Sequence, residues 1–113
     1  MRTGAPENQR RELYRIVYPI GARPSLEVDG RSHPVVDLCE RGVRFLHPKA
    51  EELSLGWRLQ GLLHFGDGTT MEVEGEVMRV EFNQAVLHLG TPISPARILK
   101  EQRYLLSRFP RYE

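Results

Sequence analysis

A chain of 113 residues can build one hydrophobic core and is too short for a second of useful size. Hydrophobic residues at 40 % and charged residues at 27 % are ordinary proportions for a folded globular chain, which excludes disordered, collagenous and coiled-coil proteins. Lys plus Arg at 16 against Asp plus Glu at 15 leaves a net charge of +1, so no global field grips nucleic acid or an anionic membrane, and any anion site is local.

The first nine residues are polar, contain Gly4 and Pro6 and lack periodicity, which predicts a flexible segment over 1–9 ahead of a single domain over 10–113. Beyond Pro24, Leu26 and Val28 alternate with polar neighbours and run into Asp29-Gly30, a strong hairpin signal. A return strand follows from about Ser32 to Leu38, and a turn at Glu40-Arg41-Gly42 leads into a third strand carrying Val43 and Phe45. The polar stretch from Pro48 to Gly56 reads as a connection. Leu59, Leu63 and Phe65 then share one face of a run that ends at a second turn, Gly66-Asp67-Gly68.

After that turn, Met71, Val73 and Val77 take the inward parity while Glu72, Glu74 and Glu76 form a solvent-facing row. Parity flips at Met78-Arg79, because the next apolar residues are Val80 and Phe82. With Gly75 nearby, this predicts a bulge in a long strand that bends around a barrel corner. Asn83-Gln84 turns the chain into Ala85, Leu87 and Leu89. Ser94 as a cap, followed by Pro95, opens a helix over about 94–109, with Ile98, Gln102, Leu105 and Phe109 on one face and Leu106 beside them. The expected fold is all-β, a small six-stranded antiparallel barrel of Greek-key type with a C-terminal α-helix, since an open sheet of this size would leave edges unprotected.

Charge is segregated along the chain. Residues 1–23 and residues 97–113 each carry five cations against two acids, 5 − 2 = +3, whereas residues 70–82 carry one against four, 1 − 4 = −3. Of the basic residues, 14 are Arg and only Lys49 and Lys100 are Lys, which supplies many planar forks for phosphate or carboxylate. The single thiol of Cys39 has no internal partner, the chain opens on Met1-Arg2-Thr3-Gly4, and no apolar run approaches ~18 residues. A reducing, cytoplasmic setting without a membrane span is expected.

Catalytic readings find little support. His33, His47, His64 and His88 have no ligand-like spacing, no phosphate-loop or dinucleotide glycine pattern occurs, and nine scattered aromatics make a poor stacking platform for DNA or RNA. Two segments are informative. Arg10-Arg11-Glu12-Leu13-Tyr14-Arg15 sets guanidiniums four residues apart just before the first strand. Asp37-Leu38-Cys39-Glu40-Arg41-Gly42 places an acid and a small side chain on one strand face before a turn that Gly42 is expected to permit. A guanidinium can fork onto phosphate or onto O6 and N7 of guanine, and a carboxylate accepts from the N1–H and N2–H₂ donors of the opposite edge. The two segments together suit a guanine nucleotide. Asp37 could instead cap the turn, Cys39 could be a small core residue, and Trp57 and Tyr14 could stack on a base or pack.

In this order and spacing the two segments resemble the PilZ domain, whose signature is Arg-x-x-x-Arg followed by Asp/Asn-x-Ser-x-x-Gly. The resemblance extends from residue 10 to about 109. It implies a non-catalytic bacterial receptor or adaptor for cyclic di-GMP that needs no cofactor and no metal. It also implies the site residues. Arg11 and Arg15, helped by Arg10, would grip phosphates and guanine Hoogsteen edges over the barrel mouth, Asp37 would take guanine donors, Cys39 would add a polar contact and Gly42 would allow the turn. Ligand binding would order the arginine segment over the barrel for an unidentified effector protein to read, with oligomeric state left open. Cys39 departs from the usual Ser, and a thiol is the weaker hydrogen-bonding group. The competing expectation is a PilZ-like protein that binds no nucleotide and acts through protein contacts, as a pilus or motility adaptor.

Overall fold

The computed structural model describes residues 15–109. Its elements are β1 (Ile16–Val17), a 3-10 turn (Ile20–Ala22), β2 (Ser25–Val28), β3 (Arg31–Cys39), β4 (Gly42–Leu46), a second 3-10 turn (Ala50–Glu52), β5 (Arg58–His64), β6 (Thr70–Glu81), β7 (Gln84–Leu89) and α1 (Pro95–Arg108). Strands run in the spatial order β3-β2-β5-β6-β7-β4, all antiparallel, and β4 pairs back onto β3, closing a six-stranded barrel without a free edge. The expected barrel and C-terminal helix are both present. The sequence reading did not foresee β1, a two-residue strand that pairs Ile16 with Leu38 and Val17 with Asp37 on the flank of β3.

The turns follow their chemistry. Asp29 at φ 52° and Gly30 at φ 78° form the two-residue connection between β2 and β3, where positive φ at both positions matches the strand twist. In the β5–β6 turn Gly68 takes φ 90°, and Asp67 accepts bonds from the amide and hydroxyl of Thr69 at 2.9 and 2.6 Å. Those bonds, the hydroxyl's first, hold the Asp67 carboxyl below its usual range.

Side-chain parity fills the interior with Leu26, Val35, Leu38, Val43, Phe45, Leu63, Val77, Leu87 and Leu89, all at most 2 % exposed. Register slips between Val77 and Arg79, as the parity flip predicts. A second slip, between Val35 and Asp37, was not anticipated. The bulge at Val36 lets both Val35 and Leu38 face inward, so Asp37 and Cys39 are turned to the outer wall instead of being driven into the core.

Helix α1 begins as expected, the Ser94 hydroxyl accepting from the Arg97 amide at 3.1 Å ahead of Pro95. Ile98 and Leu105 are buried against the barrel. Leu106, expected beside them, is 50 % exposed, and the buried stripe passes through Glu101 at 1 % exposure. The Tyr18 hydroxyl donates to Glu101 Oε2 at 2.7 Å, which makes an acid tolerable there. Burial pushes the Glu101 carboxyl pKa up. Among the described residues no helix is long and apolar enough to cross a membrane.

Candidate functional site

Arg15 and the second signature segment meet where β1, β3 and β4 lie side by side. In β3 the Val36 bulge aims Asp37 outward. In β4 the inward parity of Val43 and Phe45 turns Arg44 outward directly across from Asp37. Arg44 Nε donates to Asp37 Oδ2 at 3.1 Å, and its Nη1 reaches Glu81 Oε1 and Gln84 Oε1, each at 3.4 Å. Arg15, immediately before β1, sets Nη2 3.5 Å from the same Asp37 oxygen. One half-buried carboxylate thus faces two guanidiniums, with Arg44 the nearer and better enclosed at 22 % side-chain exposure against 54 % for Arg15.

Cys39 lies two residues along the same face, partly buried and outward, so the reading of it as a core residue does not hold; the core position belongs to Leu38. Its strand partner is Gly42. Gly42 was expected to permit the turn through its backbone freedom, but its φ lies outside the left-handed region. What the position requires is space, because a Cβ there would sit 3.3 Å from Cys39 Sγ. Asp37 is engaged by guanidiniums and does not serve the turn as a cap. Arg10, Arg11 and Tyr14, like the segment over 1–9, lie outside the described residues. Trp57 is half exposed just before β5, a strand that neighbours β2 and β6 and none of β1, β3 or β4.

Arg44 is the residue that the sequence reading missed. The signal was available: a turn of two residues between Cys39 and Gly42 puts Asp37 and Arg44 near one another across the ladder, and opposite charges in such a pair attract. Elsewhere on the wall, Arg58 binds Glu74 through Nη2 at 2.9 and 2.7 Å and approaches Glu76 at 3.6 Å, which pairs two of the three carboxylates of the acidic row. His33 and His47, remote in sequence, stack with ring centroids 4.8 Å apart. Among the described residues no group of three or more His, Cys, Asp or Glu is arranged to hold a metal ion.

The PilZ domain family model matches residues 9–107, a span that includes both segments and the whole barrel. The chain belongs to the PilZ domain family. No curated protein matches this PilZ chain in sequence. Among solved structures it is similar to the Legionella uncharacterized protein Lpg0364, with 21 % identity over 85 % of this chain and 92 % of that one and a TM-score of 0.50. It is also similar to the Bacillus subtilis inhibitor of motility MotI/DgrA, with 12 % identity over 83 % of this chain and a TM-score of 0.55. The match spans 48 % of MotI/DgrA, about half of that protein. At these identities the likeness is one of fold. Within this PilZ fold the signature acid is not an isolated acceptor; it is the centre of a three-residue ion cluster.

Proposed function

We propose that this chain is a non-catalytic receptor and adaptor for cyclic di-GMP, working in the bacterial cytoplasm as a single domain over residues 10–113. The observation that carries the reading is the meeting of Arg15 with Asp37 at 3.5 Å on the outer wall, with Cys39 and Gly42 beside them. Membership of the PilZ family supports it. In this reading Arg10, Arg11 and Arg15 hold the phosphates and guanine edges, Asp37 accepts guanine N–H donors, and Cys39 and Gly42 shape the floor. No cofactor takes part.

The geometry suggests how exchange proceeds. Arg15 is half exposed and its pairing with Asp37 is a surface ion pair of ~0.2–1 kcal/mol, so turning it toward a phosphate costs little. Arg44 stays on Asp37 and fixes the direction of the carboxylate while its free lone pairs accept from guanine. Ordering of the arginine segment over the barrel then presents a new surface to an effector protein.

Calorimetry with purified protein tests this. Cyclic di-GMP gives saturable heat with wild type, Arg15→Ala weakens binding by at least about tenfold because a charge-assisted contact is lost, and Arg103→Ala on the exposed face of α1 leaves it unchanged. Absence of heat at hundreds of micromolar ligand defeats the proposal, and equal losses in both variants reduce it to nonspecific charge attraction. A second reading, an adaptor that acts through protein contacts without nucleotide, is favoured by one observation: Asp37 is already bonded to Arg44. The same titration separates the two.

A further inference from the structure

Strand β1 has two sides. Arg15 and Val17 face outward, toward Asp37, whereas Ile16 and Tyr18 face inward and are 0 % and 4 % exposed. Among the described residues the strand pairs with β3 through two residues, and the Tyr18 amide donates to the Val36 carbonyl at 3.0 Å at the bulge that aims Asp37. On its inward side the Tyr18 hydroxyl ties β1 to the middle of α1 through Glu101, 83 residues along the chain. Arg15 and Tyr18 thus lie on opposite sides of one short extended segment, three residues apart.

The far end of that tie carries polar atoms left without partners. Glu101 Oε1 is buried and accepts no hydrogen bond, and Arg97, one helical turn earlier on the same face, has a buried Nη1 with no partner. Arg97 is itself held over the Phe65 ring, its guanidinium carbon 3.9 Å from the centroid, and donates Nη2 to Thr69 Oγ1 at 2.7 Å. The Glu101 carboxylate thus gives one oxygen to Tyr18 and leaves the other unsatisfied, on the same helix face as the unsatisfied Arg97 nitrogen. A buried donor and a buried acceptor without partners are costly, so a shift of Glu101 toward Arg97 gains a bond as the hold of Tyr18 weakens.

We propose that Tyr18, Glu101 and Arg97 form a relay that couples the Arg15–Asp37 site to helix α1 and the β5–β6 turn, so that a change at the site is read out as a change in the hold on α1. The relay rests on the functional reading only for the identity of the ligand; the coupling belongs to the apoprotein. Asp37 variants perturb the outer end, Tyr18 variants cut the tie, and α1 reports. By reciprocity, loosening α1 must alter affinity at the site by the same factor. Tyr18 and Glu101 are positioning residues here, since neither faces the outer wall.

Hydrogen exchange read by mass spectrometry, on the full chain without ligand, tests the relay. Asp37→Asn removes the charge that holds Arg15 while keeping the side-chain shape, and it speeds exchange of the α1 amides by up to ~5-fold, the most that a surface ion pair is worth, with the β6–β7 ladder unaffected. Tyr18→Phe speeds the same amides, and adding Asp37→Asn to it has no further effect on them. Exchange in α1 that ignores Asp37→Asn, or that responds equally with and without the Tyr18 hydroxyl, overturns the relay. Cyclic di-GMP then gives an independent arm: binding that leaves α1 exchange unchanged also overturns it, whereas failure to bind at all defeats the functional reading and leaves the apoprotein comparison to decide the relay.

Discussion

Replacing Gly75 with Ala examines how the barrel is closed. Gly75 is buried in β6 and paired with Leu89 of β7, and a Cβ placed on it would lie 2.1 Å from the His88 carbonyl oxygen, 2.7 Å from the His88 carbonyl carbon and 3.0 Å from Leu89 Cα. Every one of these atoms is backbone, so no rotamer change relieves the clash. An ordinary carbon–oxygen contact is about 3.3–3.6 Å, so the strands must part by about 1 Å or more where the ladder turns the barrel corner. Parting them strains the local pairing and the bond from the Gly90 amide to the Glu74 carbonyl, 2.9 Å long. Two lost backbone bonds at ~1 kcal/mol each and overpacking at ~1–3 kcal/mol give a loss of ~3–5 kcal/mol. That is a large part of the ~5–15 kcal/mol that holds a typical domain together. Urea unfolding followed by the fluorescence of Trp57, whose carbonyl accepts from Val77 beside the same strand at 2.8 Å, measures it. Gly21→Ala is the control, because nothing lies within 4 Å of a Cβ there; it changes stability by no more than ~0.5 kcal/mol. A Gly75→Ala loss below about 1 kcal/mol would refute the argument that this close approach requires glycine.

On the proposed reading, Cys39→Ser puts a stronger hydrogen-bonding group at a partly buried, outward position and raises cyclic di-GMP affinity ~3- to 10-fold in calorimetry; an unchanged or weaker constant removes position 39 from the proposed site. The His33 pKa is lowered, first by burial and then by the facing His47, with Arg31 adding to it against a backbone bond at Leu46 that raises it. The unfolded chain therefore takes up a proton before the folded one does, so stability is full above the ordinary value of 6.5 and is lost as pH falls from there through the lowered folded value. Unfolding midpoints measured from pH 8 to pH 5 show that decline in wild type and a shallower one in His33→Phe; parallel slopes would assign the acid sensitivity to another group.

The barrel was legible because its signals are local. Asp29-Gly30 sets a hairpin by the φ values it tolerates, the apolar parity of Leu59 to Phe65 and of Ala85 to Leu89 sets two strand faces, and Ser94-Pro95 sets a helix start. The bulge at Met78 was also legible, because Val77 and Val80 announce the change of parity. The bulge at Val36 hid itself, since Val35, Val36 and Leu38 are all apolar and offer no contrast by which to count. β1 escaped for a different reason: two residues carry no period, and the strand exists only because Ile16 finds Leu38 and the closed core beneath it. Glu101 escaped because a helical stripe read by hydrophobicity skips an acid, and only the tertiary approach of Tyr18 makes that acid a buried one.

The two bulges have different consequences, and the difference explains why the site stands where it does. In β6 the slip comes three residues after Gly75 and lies within the bend that closes the barrel, so its role is architectural. In β3 the slip occurs in the strand that pairs with β1, β2 and β4 at once, so turning Asp37 outward there brings it beneath Arg15 from one flank and against Arg44 from the other. A regular strand would have continued the inward parity of His33 and Val35 to residue 37 and buried an unpaired carboxylate, which costs several kcal/mol. The bulge that takes up the extra residue at Val36 thus excludes the acid from the core and assembles the ion cluster by the same displacement. It follows that deleting Val36 leaves a regular strand in which Val35 and Leu38 still face inward and Asp37 still faces outward, so fold and cluster both survive, and that Arg44→Met removes one cation and leaves the barrel closed.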